Sequence, residues 1–348
     1  MHIKTKFPIN VKQEDVFLFK NKESYTITSL KTKMYKNVFV NHWGLLLNNL
    51  VLPLKSTENL IGFYDHTFYF KHWKVAIEQF LVCKFGKSLQ SIKIEDENIY
   101  FSIHTPWFGY FSWLTTYLPR LLEVSEKFPN AILLVPEEWD KLPFVQDSLS
   151  LFPSIQHKII PNEHHMFVKN YLFSEVRPWT SIFYPEHISS VRHLFYKELE
   201  KREISIKPIK RIYVSRNKAE RRKILNENLL EAYLIENEFE IVYFEDFTIF
   251  EQVFLMKNVE ILVSMHGAGL TNTLFMQPNS ILFELTPKLE QSKFFRFPFW
   301  RIASILKINY YIQFCKTINK GEADFYSRNI EIDIDEFKKN INSILRGN

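Results

Sequence analysis

From Arg211 to Phe314, short apolar runs alternate with stretches of helical length. RIYVS, IVYFED, VEILVS, SILFEL and NYYIQF read as strands. NENLLEAYLIENEF, IFEQVFLMKN and FWRIASILK read as helices between them, and LTNTLFM as a short one. Strands joined through helices pair in parallel, and the crossover helices cover both sheet faces. VEILVS is apolar along nearly its whole length, as a strand buried on both faces must be. The pattern predicts an α/β fold built on a parallel sheet.

The first half has a different texture. Up to about residue 95 it is strand-like and turn-rich, with YKNVFVNHWGLLLNNLVLPL reading as two strands around a Gly turn. Then IYFSIH reads as a strand, FSWLTTYLPRLLEVSEKF as a helix, AILLVP as a buried strand and EHISSVRHLFYKELEKREI as a long amphipathic helix. The charged stretch KREISIKPIKR around Pro208 is the best linker candidate. A chain of 348 residues accommodates two domains. The expected division is a β-rich extension over 1–95, a Rossmann-like domain over 96–205, a second over 206–330 and a terminal helix over 331–348.

The net charge of +5 is a mild bias towards anionic partners such as nucleotides or phosphosugars, too weak and too spread to indicate nucleic acid. The two cysteines, Cys83 and Cys315, lie in apolar surroundings and read as buried thiols. No apolar run reaches the ~18 residues of a membrane span. The N-terminus lacks the apolar core of a signal peptide, so the chain as given reads as cytosolic.

Two segments carry chemistry. In VSMHGAGLTNTLFMQPNSILFEL two of the chain's eight glycines fall within three residues, directly after a buried strand. Ligands of open α/β sheets bind beyond the carboxyl ends of strands. Gly267 and Gly269 can take positive φ and admit a ligand close to the backbone, and Ala268 between them adds little bulk. The N–H groups of the following helix start would face an anion, with His266 at the strand end and Asn272 in the first turn. The same residues also make a plain capped strand–helix turn. Upstream, RIYVSRNKAERRKILNENLL places Arg216 at a strand's carboxyl end, where its planar fork suits a diphosphate. Lys218 and Lys223 read as solvated. Arg221 and Arg222 are adjacent and should diverge. Asn226 can cap the next helix, with Glu227 in its first turn.

Together these segments resemble glycosyltransferase family 61. The matching features are Ser-Arg at a strand end, an Arg-Arg pair before Ile-x-Asn-Glu, Glu-Gln in the next helix, and His-Gly-Ala-Gly-Leu-Thr-Asn. The match is dense from about Arg211 to Pro287, and weaker over YFSWLTTYLPRLL and FWRIASILKINYY. The resemblance implies a GT-B fold, two Rossmann-like domains with a cleft between them. It also implies an inverting transferase that uses a nucleotide sugar, usually UDP-linked, as co-substrate, with the donor in the C-terminal half. Arg216, Arg221, Arg222, Asn226, Glu227, His266, Gly267, Ala268, Gly269, Asn272 and Glu284 fall on the matching stretch as donor-binding candidates. Glu284 can accept ribose hydroxyls or pair with a neighbouring Arg. Where many bacterial members read Tyr-His-Trp-Leu-x-Asp, this chain has Ser112 for the His and Thr116 for the Asp.

Inverting transfer needs a base for the acceptor hydroxyl and charge to hold the leaving diphosphate. The residues suggest His104, after IYFSIH, as the base; the alternative is a structural histidine beside Pro106. Glu123 is a poorer candidate. His164 and His165 are adjacent and face apart on a strand. No strand-end Asp-x-Asp suggests a metal, and Asp333 and Asp335 fit a helix cap better. KFFRFPFWR could touch a membrane or a lipid-linked acceptor, or pack its aromatics inward. The reading is therefore a metal-independent, inverting glycosyltransferase acting on a glycan, lipid-linked glycan or glycoprotein acceptor, cytoplasmic and at most peripheral at the membrane's inner face. The competing readings are an inactive nucleotide- or glycan-binding module of the same fold and a protein O-glycosyltransferase.

Overall fold

The computed structural model describes the chain apart from residues 21, 28, 30, 43, 45, 49–89, 106–107, 176–181, 289–296, 319–327 and 348. Contacts divide it into two compact units, Met1–Ile27 with Phe195–Asn348, and Thr28–Leu194. The division differs from the expected boundaries at 95 and 205 chiefly at the N-terminus. Strands β1 (His2–Lys4) and β2 (Ser24–Thr26) pair with each other in a unit otherwise formed by the C-terminal half.

The Thr28–Leu194 unit carries β3 (Thr32–Asn41), β4 (Leu46–Asn48), β5 (Gln90–Ser102), β6 (Ile132–Pro136), β7 (His157–Ile160) and β8 (His164–Ser174) in the order β4-β3-β8-β5-β6-β7. β8, β5, β6 and β7 run parallel, and β3 and β4 add antiparallel on one side. Of the described part of the β-rich stretch, β3 and β4 thus form one edge of this sheet, while β1 and β2 belong to the other unit. Gly44, at φ +76°, makes the expected turn between β3 and β4.

FSWLTTYLPRLL folds as a helix with a π turn at Trp113–Tyr117. The Leu118 N–H reaches back to the Trp113 carbonyl, and Pro119, which has no N–H, follows at once. Arg120 is 2% exposed and spends its guanidinium on carbonyls: Ile103 at 2.6 Å, Ser174 at 2.8 Å and Ser102 at 3.3 Å. It ties the ends of β5 and β8 together, and burial pulls its pKa below the ordinary range.

In the other unit β9 (Arg211–Val214), β10 (Glu240–Val242), β11 (Ile261–Met265), β12 (Ile281–Pro287), β13 (Asn309–Ile318) and β14 (Asn329–Glu331) form the order β10-β9-β11-β12-β13-β14. All pairs are parallel except β13 with the edge strand β14. The fold is a mixed α/β one with parallel-strand sheets. The chain runs from β9 to one side, then returns to start β11 on the other side of β9. The strand order therefore reverses between β9 and β11. Helix Ile249–Asn258, which leads into β11, opens with a capping box: Thr248 accepts from the Glu251 N–H and Glu251 from the Thr248 N–H.

The N-terminal segment packs on this unit. The Asn10 side chain donates to the Ile312 carbonyl and accepts from the Ile312 N–H, both at 2.9 Å. Phe19 stacks on Phe297 at 4.4 Å and meets Trp300 edge-on. Phe297, Phe299 and Trp300 are buried, and Arg301 donates to the Lys22 carbonyl and lies over the Tyr25 ring. The described part of KFFRFPFWR packs its aromatics inward, the second of the two alternatives read from the sequence; 293–296 lie outside the described residues. Among the described residues no helix is long and apolar enough to cross a membrane. Cys315 is a buried free thiol whose pKa burial pushes up, and Cys83 lies outside the described residues.

Candidate functional site

β9 ends at Val214 and β11 at Met265, so their next residues emerge at the place where the strand order reverses. Arg216 leaves β9 and His266 leaves β11. The Arg216 guanidinium is fixed by two backbone carbonyls, Arg222 at 3.1 Å from Nε and Arg221 at 3.2 Å from Nη2. It lies against Gly267: a Cβ on that glycine would sit 2.6 Å from Nη1 and 3.2 Å from Cζ. Gly267 has φ 171°, extended backbone open to any residue. The expectation that the loop glycines supply positive φ is therefore corrected. Gly267 is needed for the missing Cβ, which makes room for Arg216. A Cβ on Gly269 would meet the Phe244 ring at 3.3 Å. Ala268 is exposed.

The surroundings are mixed in charge, with Arg222 on one side of the balance and Glu245 and Glu227 on the other. Burial and the nearby Arg222 both depress the Arg216 pKa, the first more strongly. Arg222 is half-buried and takes φ +62°, while Arg221 is exposed, so the two diverge as expected. Two guanidiniums held close raise each other's energy, and a bound anion would relieve that. Lys218 pairs with Asp246 and fits its solvated reading.

His266 Nδ1 is hydrogen-bonded to Glu284 Oε1, and the other carboxylate oxygen accepts from the Tyr310 hydroxyl at 2.6 Å. Both Glu284 oxygens are thus engaged and the residue is 2% exposed, which corrects the expectation that it accepts ribose hydroxyls or pairs with an Arg. After Gly267 the chain forms a 3-10 helix, Ala268–Phe275. Asn272 is fully buried and donates to Gln252 Oε1 at 2.7 Å, while Gln252 Nε2 donates to the carbonyls of Phe244 and Phe247. These two side chains lock the loop to helix Ile249–Asn258. Asn272 is placed to brace the loop, not to meet a ligand.

Two further expectations change. Asn226 occupies the N-cap position of helix Glu227–Glu236 without a side-chain cap. Its amide instead brackets Ile332, donating to the carbonyl at 2.8 Å and accepting from the N–H at 3.0 Å. Glu227 is 3% exposed and accepts from Tyr213 at 2.5 Å and Ser215 at 2.8 Å, inside the sheet–helix layer. Both support the segment carrying Arg216 from behind. Sequence reading missed Tyr310 and the role of Gln252; the Glu-Gln pair in IFEQVFLMKN was visible, but its partner Asn272 was not.

In the other unit His104 is 3% exposed, and its Nε2 lies 2.9 Å from the Asn41 carbonyl. Burial lowers its pKa to about 4. That enclosure suits the structural alternative and not a base open to an acceptor. Ser112 and Thr116 are also buried. The fold holds His104 neutral, so stability is present above the ordinary value of 6.5 and is lost as pH falls towards 4. The loss expected from this group is on the order of 3 kcal/mol. Urea unfolding measured across that window should show it, with a shallower pH dependence in His104→Gln; equal slopes would contradict the assignment.

Asp333 caps the terminal helix by accepting from the Glu336 N–H at 3.0 Å. Among the described residues no three His, Cys, Asp or Glu side chains gather to hold a metal ion. The family model Glycosyltransferase 61 matches residues 110–283, half of the chain, from the helix carrying the π turn into β12. No curated protein matches the chain.

Proposed function

Because the chain belongs to glycosyltransferase family 61, we propose that it moves a sugar from a UDP-linked donor to a hydroxyl of a glycan acceptor, with inversion, in building a surface polysaccharide or glycan. The observation that carries this reading is the seating of the Arg216 guanidinium against Gly267 at the carboxyl ends of β9 and β11. Ligands of open parallel sheets bind at such reversal points. The fixed fork, Arg222 beside it and the loop backbone suit a diphosphate.

In the reaction the acceptor oxygen bonds to the anomeric carbon as the bond from that carbon to the β-phosphate oxygen breaks. The electron pair leaves with UDP, and the hydroxyl proton passes to a base. Arg216, with Arg222, opposes the charge that develops on the diphosphate, an electrostatic task that a preorganised site performs well. In this GT-B reading the Phe195–Asn348 portion holds the donor and the Thr28–Leu194 unit serves the acceptor.

The test is incubation with UDP-, GDP- and CMP-sugars, with and without glycan acceptors. Hydrolysis or transfer with UDP-sugars is expected, and preference for another nucleotide would reject the UDP assignment. Most activity should survive EDTA; a strict requirement for added manganese would contradict a metal-independent site. A second reading, a donor-binding module without turnover, draws on Ser112 and Thr116 at the positions of the relatives' His and Asp, and on the enclosure of His104. Binding with no turnover across the whole panel identifies it.

A further inference from the structure

Glu284 and Tyr310 have no place in the donor contacts above, yet their arrangement is specific. Ser264 pairs with Glu284 across β11 and β12, and Glu284 with Ile312 across β12 and β13. Tyr310 lies two residues before Ile312 and His266 two beyond Ser264, so alternation puts all of them on one face. Glu284 is buried, and among the described residues no Lys or Arg pairs with it. Burying a carboxylate costs several kcal/mol unless it is hydrogen-bonded and its charge is balanced. Here both oxygens are used, one on an imidazole and one on a phenol.

We infer that Glu284 and Tyr310 are positioning residues for His266, which meets the leaving phosphate of the donor through Nε2. The inference rests on the donor site proposed above. Nδ1 is committed to Glu284, so a ring bond to a ligand is made through the other nitrogen. The His266 side chain keeps 14% exposure where Glu284 has 3%, so the carboxylate is the more deeply buried of the two. His266 adjoins Gly267, against which Arg216 lies. Phe299 flanks the ring, with centroids 5.3 Å apart. The Tyr310 hydroxyl occupies the second oxygen of Glu284 and keeps the carboxylate from turning off the ring. With a phosphate oxygen at Nε2 both ring nitrogens carry protons, balanced by carboxylate on one side and phosphate on the other.

The test is nitrogen NMR of the ring nitrogens in the full chain labelled at histidine. The His266 signals are identified by their loss in His266→Gln, and the protein is titrated with UDP. Both His266 nitrogens are expected to reach the protonated range at saturation. Tyr310→Phe, which keeps the ring and its packing, should shrink that response and lower UDP affinity by roughly five- to tenfold. Glu284→Gln should do so more strongly. If UDP binds by calorimetry while the His266 signals stay still, the inference fails and the donor site stands. A full response in both variants would remove the positioning role. If UDP does not bind at all, the donor site and the inference fall together.

Discussion

Arg216→Ala is expected to weaken UDP binding by about 3 kcal/mol, roughly a hundredfold or more. The side chain is held before any ligand arrives, by the carbonyls of Arg221 and Arg222. Little freedom is then lost on binding, and the fork presents two donors to a diphosphate. Alanine removes the charge and also releases two carbonyls of the loop. Arg216→Lys restores the charge without the planar fork, so it should recover only part of the affinity. Calorimetry with UDP reads the effect, with a melting curve to show that the variant is folded. Unchanged affinity in a folded Arg216→Ala would place the donor elsewhere.

Gly267→Ala should be nearly as damaging to binding and far gentler to the fold. The backbone there is extended, so alanine can adopt it without strain. The new methyl would lie 2.6 Å from Arg216 Nη1, too close to coexist with the guanidinium in its place. What yields is the end of a long side chain, so the guanidinium is displaced while the strand and loop remain. A loss of UDP affinity of roughly ten- to fiftyfold is expected, with a small change in melting temperature. In an Arg216→Ala background the second substitution should cost almost nothing more, because its target is gone. Additive losses in that double-mutant cycle would show that Gly267 acts through something other than Arg216. Gly269→Ala, whose methyl meets the Phe244 ring at 3.3 Å and Val214 at 3.8 Å, is the comparison: its effect should appear in stability more than in binding.

His266, Glu284 and Tyr310 show where sequence reading stops. His266 and Glu284 stand in a motif, yet the sequence leaves Glu284 between ribose hydroxyls and a neighbouring Arg, and the structure gives it neither. A carboxylate's partner depends on which strands are neighbours and in what register, and a sequence does not print register. Tyr310 went unnoticed for the same reason, since its contact reaches across to β12. Asn226 and Asn272 were assigned by local position, one as a cap and one as a first-turn ligand contact. Both amides instead bridge to residues far along the chain, Ile332 and Gln252. His104 looked accessible because it follows a strand end; its burial comes from packing around it.

By itself the sequence determined the alternation that makes parallel strands, the crossover helices, and the placing of Arg216 and the glycine loop at strand ends. Those are consequences of hydrophobic periodicity and chain direction, which are local properties. The tertiary structure alone decided that β9 and β11 are neighbours, and so that Arg216 and Gly267 meet. It also decided which candidates face inward and that residues 1–27 pack with the C-terminal half. Each depends on contacts between residues distant in the chain. Such contacts are selected by burial and pairing across the whole fold, not by any short stretch of it.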